Sequence, residues 1–345
     1  MKSKTILYAV LDWGLGHATR SIPLIQRIQS EGHQVIVAAN GASLQLLKNR
    51  LHNVEFVEKP GKTIRYAKSF NTLKIAQQAP SFLASVGDEK VWTHHFVSDH
   101  PVDLIISDNC YGVLDPRVPS ILITHQLNLP VPSILGGAAK KLIRKLTSGF
   151  TSIWVPDSNG MLSGVLSQPD PSGRAIMVGA LSQFEMTVEK GDSILVGMVS
   201  GPEPHRSILQ EGLQKLFLAD GRKATIIAGR PSGGSESIEN LTILYDSSRE
   251  EIAALITGAE VIICRAGYSS LMDLVALKKR AILIPTPGQL EQEFLSDHWQ
   301  EKFGFEILEQ HALDKLESIP EVGGVVPALS VNSGAFEELD KLLNQ

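Results

Sequence analysis

The chain has 345 residues, too many for one ordinary core and well suited to two domains. Hydrophobic residues make up 43% and charged residues 20%, the balance of a globular protein, and a formal net charge of -5 argues against a nucleic-acid binder. The two cysteines, Cys110 and Cys264, are too far apart for a metal spacing and read as buried thiols in a reducing compartment, which points to the cytoplasm.

Lys2 and Lys4 precede an apolar run at 5–11, but Asp12 cuts it short and no small-residue cleavage site follows, so the run reads as a first strand rather than a secretory leader. No uncharged apolar stretch reaches the about 18 residues of a membrane span. Continuous apolar runs at 5–11, 34–39, 104–107 and 120–124 predict strands buried on both faces, hence a parallel sheet. Helical patterns at 18–30, 42–50 and 73–96 alternate with them, the rhythm of a doubly wound α/β fold. The rhythm restarts with predicted strands at 193–199, 224–228, 241–245, 261–264 and 281–285. Predicted helices lie between and after them at 205–219, 249–257, 270–276 and 289–302.

A polar, glycine-containing stretch at 187–192 reads as a linker, with the boundary near Val188. The expected organisation is two Rossmann-like domains, 1–187 and 188–330, with parallel sheets facing across a cleft. A terminal amphipathic helix at 331–345, capped by Ser333, is expected to pack back on the first domain. Ligands of open parallel sheets bind beyond the carboxyl ends of the strands, so the loops after strands are where chemistry is sought.

The first such loop is Asp12-Trp13-Gly14-Leu15-Gly16-His17. Gly14 and Gly16 permit a tight turn and close approach of backbone to a ligand. A dinucleotide fingerprint needs a third glycine where Thr19 stands, which disfavours a dehydrogenase. His17 falls at a helix start, where the helix dipole disfavours a second charge on its ring, and a neutral imidazole there can take a proton from a hydroxyl. The plainer alternative is that the glycines only turn the chain.

The second loop is Arg265-Ala266-Gly267-Tyr268-Ser269-Ser270, with Asp273 one turn into the next helix. Backbone N–H groups at 267–270 would point at an anion, the two serine hydroxyls would add donors, and Arg265 would compensate a phosphate charge. Asp273 shares a helix face with Ser269 and Ser270 and can accept hydrogen bonds from ribose hydroxyls. Gln289 and Gln292, after the next strand, can hydrogen-bond sugar hydroxyls. Here the alternatives are a serine-capped helix and ordinary surface glutamines.

These loops, in this order, resemble glycosyltransferase family 28. The family's histidine-ended glycine loop matches Gly14-Leu15-Gly16-His17, and its donor signature matches Arg265-Ala266-Gly267, Asp273, Pro285 and Gln292. Thr124-His125-Gln126-Leu127-Asn128 matches a polar loop that lies beside the acceptor, so His125 and Asn128 join Gly14, Leu15 and Gly16 on the acceptor side. The segment 196–206, with Ser200 and Gly201, resembles the phosphate-side loop, and Arg249 falls near the backbone that contacts the base. The peptidoglycan-synthesising members differ: they carry small residues where Asp12 and Trp13 stand, Glu for Asp273 and a second Gln for Glu293, which leaves donor sugar and acceptor open.

The resemblance implies a GT-B fold and an inverting transfer from a nucleotide sugar, a UDP-sugar as co-substrate, to a hydroxyl acceptor that could be lipid-linked. His17 would be the base. No metal or cofactor is implied, and no Asp-x-Asp occurs in the chain. Two rivals stay in view: a 2-epimerase of the same fold, for which no carboxylate pair stands out, and a non-catalytic nucleotide-sugar-binding subunit. Lys140, Lys141, Arg144 and Lys145 form one side of a predicted helix opposite Leu142, Ile143 and Leu146. Such a face either docks on anionic lipid, as a peripheral contact at the inner membrane surface, or is simply solvated.

Overall fold

The computed structural model describes residues 3–61, 72–129, 133–168, 170, 172–184, 191–201, 203–229, 233–316 and 318–344. The chain forms two compact units. One runs to Leu181 and resumes at Leu329, and the other is Ser182–Ala328. The expected boundary near Val188 lies outside the described residues.

The first unit contains β1 (Thr5–Val10), α1 (Leu15–Ser30), β2 (Gln34–Ala39), α2 (Gly41–Arg50), β3 (Glu55–Glu58), α3 (Thr72–Asp99), β4 (Leu104–Asp108), β5 (Ser120–Ile123), α4 (Ser133–Thr147), β6 (Ser152–Val155) and β7 (Ala175–Met177). Its seven strands are all parallel, in the order β3-β2-β1-β4-β5-β6-β7. Every residue from Ile6 to Val10 is buried, as a central parallel strand covered on both faces requires. Leu7, Ile36 and Ile105 of three adjacent strands meet Phe96 of α3 in one core, while α1 buries Ile22, Leu24, Ile25 and Ile28.

The second unit contains β8 (Leu195–Met198), α5 (His205–Asp220), β9 (Ala224–Ile227), β10 (Ser235–Ile238), β11 (Leu241–Leu244), α6 (Arg249–Gly258), β12 (Val261–Arg265), α7 (Tyr268–Ala276), β13 (Ile282–Ile284), α8 (Leu290–Phe303) and β14 (Glu306–Ile307). The strand order is β10-β11-β9-β8-β12-β13-β14, parallel except for β10, which pairs antiparallel with β11. Leu195, Ile226, Ile243, Ile263 and Ile282 form its core with Leu209, Leu213 and Phe217 of α5.

The last helix, α9 (Ser333–Leu343), belongs to the first unit. The chain re-enters that unit through a parallel bridge between Ala180 and Val331, with Ala180 N donating to Ser330 O and Asn332 N to Ala180 O. Arg27 of α1 then grips Asp340 of α9 with two hydrogen bonds, of 3.2 and 2.9 Å. Both partners are about a third exposed, so the pair contributes at most about 1 kcal/mol. Burial of Leu339 and Leu343 contributes more, about 1.5–3 kcal/mol for each side chain, and is what seats the helix. Ser333 is not the cap as expected. The capping position is Asn332, at φ 62°, and its side chain makes no capping bond.

Three boundaries shift in ways that matter for the site. Helix α1 starts at Leu15 instead of 18, α7 at Tyr268 instead of 270, and β12 extends through Arg265. The short edge strands β3, β7, β10 and β14, and β6 beside β7, were not expected. Ser235-Glu236-Ser237-Ile238 shows why: an exposed edge strand needs no apolar run to be held by its neighbour.

Candidate active site

Each sheet reverses its strand order once. In the first, the chain leaves β1 for β2 and β3, then returns to β4 on the other side of β1. In the second, it leaves β8 for β9 and β11, then returns to β12 beside β8. At such reversals the neighbouring loops diverge and open a crevice at the carboxyl ends of the strands. In the first sheet the crevice is flanked by the loop leading to His17 and by Asp108, the last residue of β4. In the second it is flanked by the loops carrying Gly201 and Gly267.

Gly14 precedes α1 at φ 93°, a backbone conformation that side chains other than glycine's resist. The turn places His17 in the first turn of the helix, 14% exposed, with Nδ1 2.9 Å from Asp108 Oδ1. Asp108 is fully buried. Arg20 donates from Nε to its Oδ2 at 2.7 Å and from Nη2 to its Oδ1, and Ser21 Oγ adds a bond to Oδ2 at 3.2 Å. Arg20 Nη2 also lies 2.9 Å from His17 Nδ1. Asp108 Oδ1 can only accept and Arg20 Nη2 can only donate, so the two neighbours ask opposite things of Nδ1. Arg20 Nη2 already donates to Asp108, so we take the tautomer with Nδ1–H on the ionised carboxylate, which leaves Nε2 as the acceptor.

Burial pushes the Asp108 carboxyl up, but Arg20 and His17 outweigh it and hold it well below the usual carboxylate range. Burial of His17 and the nearby Arg20 charge lower the imidazole's pKa, against the opposing pull of Asp108. The ring is therefore neutral near pH 7, oriented by an ionised carboxylate and able to accept a proton at Nε2. Asp108 and Arg20 were missed in the sequence. Arg20 lies three residues after His17 on one helix face, and Asp108 closes an apolar strand where an unpaired charge would be costly, so both left a signal.

His125 is buried and close enough to His17 to help lower its pKa. Its loop is pinned on both sides. Thr124 Oγ1 accepts from Gln126 N at 3.1 Å, and Leu127 N and Asn128 N both donate to Leu166 O. The turn around Leu166 is held in turn by Asp157, whose buried carboxylate accepts from Leu162 N, from Ser163 N and Oγ, and from Ser167 Oγ. Asn128 is half-buried beside this turn.

In the second unit three loops converge. A Cβ built on Gly201, which sits at φ 100°, would lie 3.9 Å from Thr286 Oγ1, and one built on Gly267 would lie 3.7 Å from Gln292 Nε2 and 3.9 Å from Ser270 Oγ. Gln292 Oε1 accepts from Thr286 N at 2.9 Å, which fixes the amide and leaves Nε2 without a protein partner among the described residues. Thr286 Oγ1 and Gln289 Oε1 are buried without partners among the described residues, an arrangement that asks for a polar ligand. Thr286 is a further residue that sequence reading overlooked. Among the described residues helix α7 opens at Gly267 with no side-chain cap bond, a helix start of the kind that receives anions, flanked by the half-buried Ser269 and Ser270. Ala266 and Tyr268 are buried, and Ser200 is exposed at the end of β8.

Asp273 is half-buried and accepts a 2.6 Å hydrogen bond from Ser182 Oγ. Burial raises its pKa to about 7 despite that bond. Arg249 is the first residue of α6, 38% exposed, and donates from Nη1 to Gln183 O at 3.3 Å.

Arg265 requires a correction. It was expected to face a phosphate, but it is the last residue of β12 and is fully buried. It donates to Ile284 O, Pro285 O, His205 O and Gln310 Oε1, the last two at 2.7 and 2.5 Å. No carboxylate pairs with it among the described residues, and burial lowers its pKa to about 10. Its role is to tie together the ends of β12 and β13, the start of α5 and the turn at Gln310.

Residues 233–318 match the glycosyltransferase family 28 C-terminal domain, a span that includes Arg249, the loop 265–270, Asp273, Gln289 and Gln292. An uncharacterized glycosyltransferase of Methanosarcina mazei is 22% identical over 313 residues, covering 84% of this chain and 81% of its own length. The UDP-N-acetylglucosamine--N-acetylmuramyl-(pentapeptide) pyrophosphoryl-undecaprenol N-acetylglucosamine transferase of Clostridium novyi is 23% identical over 325 residues, covering 87% and 84%. Among solved structures, the calicheamicin glycosyltransferase CalG4 superposes with a TM-score of 0.61 at 12% identity, covering 100% of this chain and 94% of that one.

Proposed function

We propose that this glycosyltransferase, which has the GT-B fold and carries the family 28 C-terminal domain, moves a sugar from uridine diphosphate to an acceptor hydroxyl, with inversion and without a metal. The observation that carries the reading is the pair of loop clusters: a neutral His17 on an ionised Asp108 in one unit, and the start of α7 among Gly201, Thr286 and Gln292 in the other. In this mechanism His17 Nε2 removes the acceptor proton as the oxygen attacks the anomeric carbon. The bond to the diphosphate breaks, and its charge is taken up by the α7 N–H groups and the hydroxyls of Ser269 and Ser270. Asp273 holds the ribose, and Gln289 and Gln292 the sugar.

Calorimetry with UDP, against GDP, TDP and ADP, tests the donor. Selective UDP binding in the micromolar to millimolar range, unchanged by magnesium and lost in Asp273→Ala, is expected. Binding of another nucleotide would change the donor, and binding of none would reduce the α7 loop to a plain helix start.

The acceptor in this reading is lipid-linked, as the undecaprenol in the name of the clostridial relative suggests for that protein, and is reached from the cytoplasmic face of a membrane. Among the described residues no helix is long and apolar enough to cross a bilayer. Lys140, Lys141, Arg144 and Lys145 of α4 are exposed, whereas Ile143 and Leu146 are buried in the first unit, so contact with lipid would be electrostatic and without insertion. Sedimentation with anionic vesicles should then show binding at low salt that disappears at high salt. Absence of binding at low salt would remove the membrane from the proposal.

A further inference from the structure

The segment that enters the second unit is tied to two residues of the proposed nucleotide site. Ser182 Oγ donates to Asp273 Oδ1 at 2.6 Å, and Arg249 Nη1 donates to Gln183 O at 3.3 Å. Phe184 N donates to Ser182 Oγ at 3.0 Å, which orients the hydroxyl so that its hydrogen points to the carboxyl. Ser182 is fully buried, and within the second unit its hydroxyl is held between Phe184 N and Asp273. The family 28 match begins at residue 233 and so does not include this segment.

We propose that Ser182 is a positioning residue for the nucleotide, holding the Asp273 carboxylate in the orientation that receives the ribose hydroxyls. The inference rests on the reading of Asp273 as a ribose partner. A carboxylate can accept several hydrogen bonds, so Ser182 on Oδ1 leaves Oδ2 and the second lone pair of Oδ1 for two ribose hydroxyls. The serine hydrogen bond also favours the charged form against burial, and the charged form is the better acceptor. The other titratable group that acts on Asp273 among the described residues is the Cys264 thiol on β12. Burial pushes that thiol up to about 12, so it stays neutral.

The test is UDP affinity by calorimetry from pH 5.5 to 8.5 for the wild type, Ser182→Ala, Ser182→Cys and Asp273→Asn. The ionisation of the diphosphate itself is common to all four and cancels between them. In the wild type, affinity should rise through a midpoint near 7 that Asp273→Asn lacks. Ser182→Ala should bind about fivefold more weakly at pH 7, with the midpoint moved upward. Ser182→Cys keeps the size but is a poorer donor, should shift the same way by less, and carries the test if the alanine variant does not fold. Wild-type affinity and profile in both serine variants, with binding lost in Asp273→Asn, would overturn the role of Ser182 and leave the nucleotide site standing. Wild-type binding in Asp273→Asn would overturn the ribose reading on which it rests.

Discussion

His17→Ala should lower turnover by about a hundred- to ten-thousandfold while UDP affinity stays within twofold, because a positioned general base contributes that much and the proposed nucleotide site belongs to the other unit. Asp108→Asn should lose a large part of the same factor. The amide cannot stabilise the imidazolium that forms when Nε2 takes the proton, and Arg20 is then left buried beside a neutral group. The pH profile gives an independent sign. Burial and the Arg20 charge lower the pKa of His17, so kcat/KM should rise with pH through a limb below the ordinary histidine value of about 6.5 and be flat at neutrality. Steady-state kinetics beside calorimetry on the same variants reads both effects. Unchanged turnover in His17→Ala would remove it as the base, and loss of UDP binding would move His17 to the donor site.

Arg265→Ala should lower the stability of the second unit by about 3–4 kcal/mol in urea unfolding, one of the larger costs open to a single substitution. Four oxygens from β13, α5 and the Gln310 turn lose their donor, and a buried cavity replaces the side chain. The desolvation that lowers the guanidinium's pKa to about 10 works against the native arrangement and trims this cost, but does not cancel it. Arg265→Lys should recover little, since one ammonium cannot span acceptors arranged for a planar fork. A stable Arg265→Ala that had lost UDP binding would instead restore the phosphate role suggested by its place in the loop.

These two residues mark the division between pattern and packing. His17 was legible because a glycine loop after a predicted strand leaves few positions from which a helix-start side chain can reach a ligand, and the structure puts it at the reversal of the sheet. Arg265 stood in an equally suggestive loop, but its strand ran one turn-position further than the apolar pattern reached. The extra residue carried its side chain into the interior. Strand ends are set by hydrogen bonds to the neighbouring strand, here Arg265 against Ile284, and those cannot be counted from one segment alone.

The sequence by itself determined the two parallel α/β halves, the loops after strands that hold the candidate chemistry, and the terminal helix as an amphipathic element. Continuous apolar runs and helical periodicity are local consequences of burying one face or two, and so survive in the order of residues. Only the tertiary structure decided that Asp108 pairs with His17 across 91 positions, that Thr286 meets Gly201, and that Ser182 reaches Asp273. The first two join residues far apart in the chain through the order of strands in a sheet, and the third through a loop laid against α7. That order is chosen by the packing of the whole core, so no single segment carries it.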